Sequence, residues 1–274
     1  MGAGIVKVLN IAHRGARSLA PENTLAAAEK GFEAGADLWE TDVVATRDGE
    51  LILFHDDSLV RTTDAKERFP DRSPWYYSTF TLEEIRTLDA GIRYVQGDPF
   101  GQIAAGAVSS EAVNTFYGIK VPTLKEGLAL TADLDWRVNL ELKDLPPPLT
   151  GFPLPERVLA LIDAQRFDTG RIIISSFNHN WLRRVRQMRP DIAIHALIGD
   201  SGFEPLDWGN YEFATYNANF RLIDEAQIAK AMKNGVRVNL WTVNDPSDLK
   251  RFIAAGASGF FTDFPQRLAA LLNG

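Results

Sequence analysis

Cysteine is missing from all 274 residues. That removes disulfides, thiol nucleophiles and thiolate metal sites together, and it is compatible with either a reducing or an oxidising compartment. No apolar run reaches the roughly 18 residues that span a bilayer, and Met1–Val6 carries neither the basic region nor the apolar stretch of a signal peptide. A myristoylation pattern is lacking too, because Val6 stands where Ser or Thr is needed. Nor is there a surplus of positive charge: the net charge of −7 argues against coating nucleic acid or anionic membrane through a basic face. The expectation is a cytoplasmic protein with no nucleic-acid partner and no stable membrane insertion. An anionic small-molecule substrate stays admissible, since a metal or a local Arg reverses the field within one pocket.

What is present is a large apolar complement, 45% of residues, with 24% charged, which excludes a disordered or fibrous chain. Short β-branched runs alternate with amphipathic segments. Strands are expected near Val8–Ala12, Leu38–Val43, Arg137–Leu142, Ile172–Ser176, Ile192–Leu197, Phe213–Tyr216, Val236–Thr242 and Gly259–Thr262. Helices are expected over Thr24–Ala34, Leu124–Ala132, Pro155–Ala164, Asn180–Arg189, Asp224–Asn234, Pro246–Ala255 and Pro265–Leu272, with a short, weakly signalled one around Leu206–Trp208. Strand–helix alternation implies parallel strands joined by crossovers. Eight units in ~250 residues suit a (β/α)8 TIM barrel. No Gly-x-Gly-x-x-Gly turn follows the first strand, so a dinucleotide fold has no support.

One segment breaks the alternation. Asp48-Gly49 between two apolar runs signals a hairpin, which would fold His55 back to lie roughly opposite Glu40. The helix expected after strand two then arrives only at Leu124, leaving an insertion over 57–121 with a helix candidate at Leu82–Leu88. The reading is one catalytic domain over 1–274, with the aromatic insertion as a cap at the barrel mouth, where loops carry function.

Glu40 and Asp42, two apart on a strand, point to one face. Glu141, at the C-terminal end of the next barrel strand, adds a third acid. Each alone is open to a simple Arg or Lys pairing; together they form the hard-oxygen setting that Mg2+ or Ca2+ prefers. His13 and His55 fall at the same end, and imidazoles serve as general base and acid. Arg14 can clamp a phosphate, Lys143 shares the face of Glu141, and Trp241 either stacks on substrate or fills the barrel. Asn23 is a plausible N-cap for the first helix. His179 and His195 receive no role; the second is expected to pack.

Read together, His13-Arg14-Gly15, Pro21-Glu22-Asn23-Thr24, Glu40-x-Asp42, Asp48-Gly49, His55-Asp56, Glu141-Leu142-Lys143, Ser175-Ser176-Phe177, Trp241-Thr242-Val243 and Thr262-Asp263-x-Pro265 resemble the glycerophosphodiester phosphodiesterase family, in order and over nearly the whole chain. The resemblance implies a TIM barrel with an insertion after strand two, and metal-dependent cleavage of glycerophosphodiesters to sn-glycerol 3-phosphate and an alcohol. It implies His13 and His55 as acid–base pair, Glu40, Asp42 and Glu141 as metal ligands, and Arg14 assisted by Lys143 on phosphate. Alternatives are a lysophospholipase D-like enzyme whose aromatic insertion meets lipid, and a non-catalytic phosphodiester-binding barrel. A homo-oligomer is also compatible with those aromatics.

Overall fold

The computed structural model describes residues 7–200 and 211–274. Eight parallel strands close on themselves: β1 (Leu9–Ala12), β2 (Leu38–Ala45), β4 (Val138–Leu142), β5 (Ile172–Ser176), β6 (Ala193–Ile198), β7 (Thr215–Asn219), β8 (Arg237–Trp241) and β9 (Gly259–Thr262). They follow one another around the sheet, and pairing of β1 with β2 completes the barrel. A ninth strand, β3 (Leu51–Leu53), runs antiparallel along β2. Outer helices are α1 (Leu25–Glu33), α6 (Leu124–Asp133), α7 (Leu154–Ala164), α8 (His179–Met188), α9 (Glu225–Lys233), α10 (Pro246–Ala254) and α11 (Pro265–Asn273). The TIM-barrel expectation holds, and the helix expected around Leu206–Trp208 lies outside the described residues.

Local chemistry explains the helix starts. Thr123 with Glu126 and Asp224 with Gln227 form reciprocal capping boxes, and proline opens α7, α10 and α11. Asn23 is not the cap of α1. Thr24 accepts from Ala27 N instead, because Asn23 turns its amide inward, with φ of 54°, a value tolerated by Asn better than by most residues. Several strand boundaries move by a residue, and those of β2 and β7 move further. β2 runs on to Ala45, held by the hairpin partner β3. β7 begins at Thr215 and not at Phe213, whose ring packs on Tyr216; its polar ladder residues Asn217 and Asn219 carry little strand propensity.

The main core lies between strands and helices, built from residues such as Trp39, Val43, Leu140, Ile174, Leu240 and Phe252. A smaller apolar cluster of Ile11, Leu38, Ile173 and Phe261 fills the barrel itself. Between β3 and α6 the chain forms four short helices: α2 (Ala65–Arg68), α3 (Leu82–Ile85), α4 (Ile92–Gly97) and α5 (Ser110–Phe116). The sequence pattern anticipates only α3. Leu59, Tyr77, Phe80 and Ile85 of this segment join the main core, while Tyr94, Val108 and Phe116 pack on Ala20 and Ala27.

Register places the mouth residues. Asp42 is directly opposite Glu141 across the β2–β4 ladder. Ala12 pairs with Thr262, so His13 and Asp263 emerge side by side one step beyond. Val43 pairs with Leu53, and Phe54 N donates to Asp42 O at 3.1 Å, which brings His55 over the same edge. The turn needs Gly49 at φ 80°.

Candidate active site

Carboxylate oxygens of Glu40, Asp42 and Glu141 lie within 4.8 Å of one another at the C-terminal end of the barrel. Burial, followed by the charges of Asp42 and Glu141, pushes the Glu40 carboxyl well above its usual range. Glu141 is raised for the same first reason, with Lys143 opposing. Asp42 goes the other way: burial works against its charge, but His55, Lys143, Arg14 and the Asn23 amide hold it at about 2. Its Oδ2 accepts from Asn23 Nδ2 at 2.9 Å. Its Oδ1 is buried with no hydrogen-bond partner, 3.6 Å from Lys143 Nζ. Lys143 Nζ in turn donates to Glu141 Oε1 at 3.0 Å. Three hard oxygen ligands, one of them with an unmet lone pair, fit a divalent cation.

Arg14 sits at the hinge of the site. Its φ of 54° is strained for a side chain with a Cβ, and the conformation aims its N–H at Glu40 Oε2, 2.9 Å away. The guanidinium meets Glu22 at 2.8 Å and Asp42 at 3.5 Å. Gly15 follows with φ of 79°, and a Cβ there would come within 2.4 Å of the Ala27 backbone. No other residue allows α1 to pack this close to the His-Arg-Gly turn.

His13 Nδ1 lies 2.7 Å from Asp263 Oδ1, and His55 Nδ1 lies 2.7 Å from Asp56 Oδ1. Burial and then Arg14 depress the His13 imidazolium to about 4, against the pull of Asp263. The two histidines are ends of one charge chain. Asp263 also pairs with Arg17 at 3.1 Å, Arg17 with Glu22 at 3.5 Å, Glu22 with Arg61 at 2.6 Å, and Arg61 with Asp56. Asn244 Nδ2 steadies Asp263 Oδ2 from the far side at 2.7 Å. Sequence reasoning left Glu22, Asp56 and Asp263 without roles, and missed Arg17, Arg61 and Asn244. The available signal for Asp263 was its place one residue past a strand, matching His13 on the neighbouring strand.

Trp241 is half-buried on the inner wall, its Nε1 donating to Asn217 O at 3.1 Å and its ring edge-to-face with Phe177 at 5.8 Å. His179 is the first residue of α8, its Nε2 2.9 Å from Leu197 O, and so is engaged outside the acid trio. His195 stands on β6, away from the mouth. The eight site residues expected from sequence divide accordingly: His13, Arg14, His55 and Lys143 gather at the same barrel end as the three carboxylates, and Trp241 stands on the inner wall.

Residues 13–267 match the model of the glycerophosphoryl diester phosphodiesterase family. The chain belongs to that family. A glycerophosphodiester phosphodiesterase from Caldanaerobacter subterraneus subsp. tengcongensis is 36% identical over 98% of this chain and 99% of its own. Another so named, from Bacillus subtilis, is 27% identical over 94% and 84%. Among solved structures, an Oleispira antarctica phosphodiesterase in complex with the product sn-glycerol-3-phosphate superposes with a TM-score of 0.77 at 25% identity, covering 96% of each chain. A Silicibacter pomeroyi member superposes with a TM-score of 0.80 at 28% identity, over 99% of this chain and 95% of that one. The family's barrel is thus the barrel described above, and no helix among the described residues is long and apolar enough to cross a membrane.

Proposed function

We propose that this chain hydrolyses glycerophosphodiesters to sn-glycerol 3-phosphate and an alcohol in a reaction that depends on a divalent cation, Mg2+ or Ca2+. The observation that carries the reading is the convergence of Glu40, Asp42 and Glu141 oxygens within 4.8 Å beside two His–carboxylate pairs. Those three acids would hold the metal, which when bound supplies positive charge to the phosphoryl oxygens.

The chain's own residues divide the remaining work. Arg14 and Lys143 place fixed cations where the phosphate's charge grows during attack. Asp263 and Asp56 occupy Nδ1 of His13 and His55, which leaves each Nε2 to exchange protons. A His13 ring neutral near pH 7, given its depression to about 4, suits the role of general base. His55 then protonates the leaving alkoxide. The nucleophile is either water or the adjacent glycerol hydroxyl, the latter passing through a cyclic phosphate that gains from proximity. A substrate lacking that hydroxyl separates the two: undiminished turnover rules out the cyclic route. Trp241 would line the bed for the glycerol or alcohol carbons.

The lipid-contacting alternative finds little apolar surface in the insertion: Tyr77, Phe80, Tyr94 and Phe116 are each at most 7% exposed, and Tyr117, at 50%, is the one large aromatic there that stands open to solvent. A product assay over a panel of glycerophosphodiesters and lysophospholipids, with Mg2+ or Ca2+ restored to stripped protein, tests the reading. Release of sn-glycerol 3-phosphate from the first group is expected. Turnover confined to lysophospholipids would overturn it, and so would full activity in EDTA.

A further inference from the structure

The base of the barrel, at the end opposite the carboxylates, holds a second cavity of about 780 Å3, within the size range of small-molecule sites. Strand alternation builds it. Along β4 the inward positions Glu141 and Lys143 at the mouth give way to Asn139 and then Arg137 at the base. Along β8, Trp241 gives way to Asn239 and Arg237. Three strands separate β4 from β8 in either direction around the barrel, so the two arginines face each other across it. His195 of β6 lies between them on the same cavity wall.

Two features mark this base as more than a solvated rim. Lys7 pairs with Asp37, and Arg186 with Glu212, but Arg137 and Arg237 have no carboxylate partner among the described residues. Among the described residues they stay unpaired, although the chain's net charge is −7. Independently, buried polar atoms here have unmet bonding capacity. Asn239 is 1% exposed; its Nδ2 donates to Asn217 Oδ1 at 2.9 Å, while its Oδ1 has no partner. His195 Nδ1 is likewise sealed from solvent, with the Asn217 side chain as its polar neighbour. Facing guanidiniums recognise phosphate, and a buried acceptor is satisfied by a hydroxyl donor. Burial, then Arg137 and Arg237 among its neighbours, depress the His195 imidazolium to about 3, so its ring is offered neutral.

The geometry points to a second binding site at the barrel base for a small organic phosphate bearing hydroxyl groups, with phosphate between Arg137 and Arg237 and a hydroxyl on Asn239 Oδ1. It is separate from the mouth. Its inner wall includes Ile173, which with Ile11, Leu38 and Phe261 forms the apolar cluster one pleat below the mouth residues.

Imidazole NMR on the full, metal-loaded chain tests it, because only four histidines are present and each end of the barrel has its own reporter. Signals are assigned by their loss in H195Q and H13A, and sn-glycerol 3-phosphate, inorganic phosphate and glycerol serve as probes. The expected result is a saturable shift of His195 with sn-glycerol 3-phosphate in the range of about 1–10 mM, a weak-site affinity. In R137Q/R237Q that affinity falls about tenfold or more, as expected when charge-assisted bonds are lost. R237Q alone, at an exposed position, gives the same direction if the double variant does not fold. Inorganic phosphate should bind more weakly than the organic ester, and glycerol should leave His195 unmoved. The proposal is overturned by a static His195 signal, by shifts indifferent to the arginine variants, or by equal affinity for inorganic phosphate. Responses of His13 and His55 to the same ester report the mouth and are read separately.

Discussion

The two ends of this barrel hold their charges in opposite ways. At the mouth, Arg14, Arg17, Arg61 and Lys143 each lie against carboxylates, and each His is bound to an Asp. At the base, Arg137 and Arg237 line a cavity with no carboxylate partner among the described residues. One strand, β4, contributes to both ends. The difference separates two kinds of dependence. A mouth residue removed leaves an opposite charge buried without its partner, which is costly. A base arginine removed leaves nothing behind it uncompensated. Substitutions at the mouth should therefore strike turnover hard, and those at the base should spare it.

The largest expected effect comes from His13→Ala and His55→Ala. Each should lower kcat by about 10²–10⁴-fold, the usual worth of a general acid or base, with an unchanged far-ultraviolet spectrum. R237Q should stay within about twofold of the parent, as a change away from the reacting groups does. Steady-state assays on one glycerophosphodiester suffice, and comparable losses at both ends would erase the contrast.

Cation removal comes next. Glu40 and Glu141 are both raised by burial and by neighbouring carboxylates. A carboxyl whose folded pKa lies above its unfolded value gives stability at low pH that is lost as pH rises through the folded value. Stripped protein should therefore lose Tm as pH climbs above 4.5, the ordinary value for Glu. Mg2+ or Ca2+ should restore about 2–4 °C near neutrality, by binding only the folded chain. Thermal melts at several pH values, with and without EDTA, check this; E40Q should flatten the slope of the stripped protein.

The barrel was legible in the sequence because its strands are buried on both sides and read as short apolar runs, as Ile172–Ser176 does. The carboxylates and histidines were legible because period-two spacing and one Asp-Gly turn fix their faces without knowledge of the rest. Other parts depend on distant partners. Asp263 and Glu22 acquire meaning only when β9 meets β1 and Arg61 crosses from the insertion. The short helices α2, α4 and α5 run four to seven residues, too few for helical periodicity to show. Asn23 read as a cap because capping is its commonest local use; its amide is drawn instead to Asp42 and Thr41.

A smaller effect belongs to Asp263→Asn, which removes a positioning group and spares the proton carrier. Turnover should fall less than in His13→Ala, by about tenfold, as His13 loses the bond that fixes its ring. The pH profile distinguishes this from a general structural loss. Asp263 raises the His13 pKa while burial and Arg14 lower it to about 4. Without that carboxylate the value drops further, and the acid limb of kcat/KM moves to lower pH. An acid limb moving upward would detach His13 from that limb.

The smallest effect lies at the base and concerns stability alone. His195 titrates near 6.5 in the unfolded chain but at about 3 when folded, through burial and then the Arg137 charge. Between those values the unfolded chain takes up a proton that the folded one refuses. The stability this residue supports is whole above about 6.5 and drains away as pH falls toward the folded value. H195Q has no such proton to bind, so its Tm should fall less between pH 7 and pH 5 than the parent's, by about 4 °C. His13, also depressed, imposes a similar slope from the mouth and is present in both proteins, so it cancels in the comparison. Binding of an organic phosphate at the base should shift this His195-dependent slope in the parent and in H13A alike, and leave H195Q unchanged. That ties the acid sensitivity of the barrel's lower end to Arg137 and Arg237 and not to the catalytic pair above.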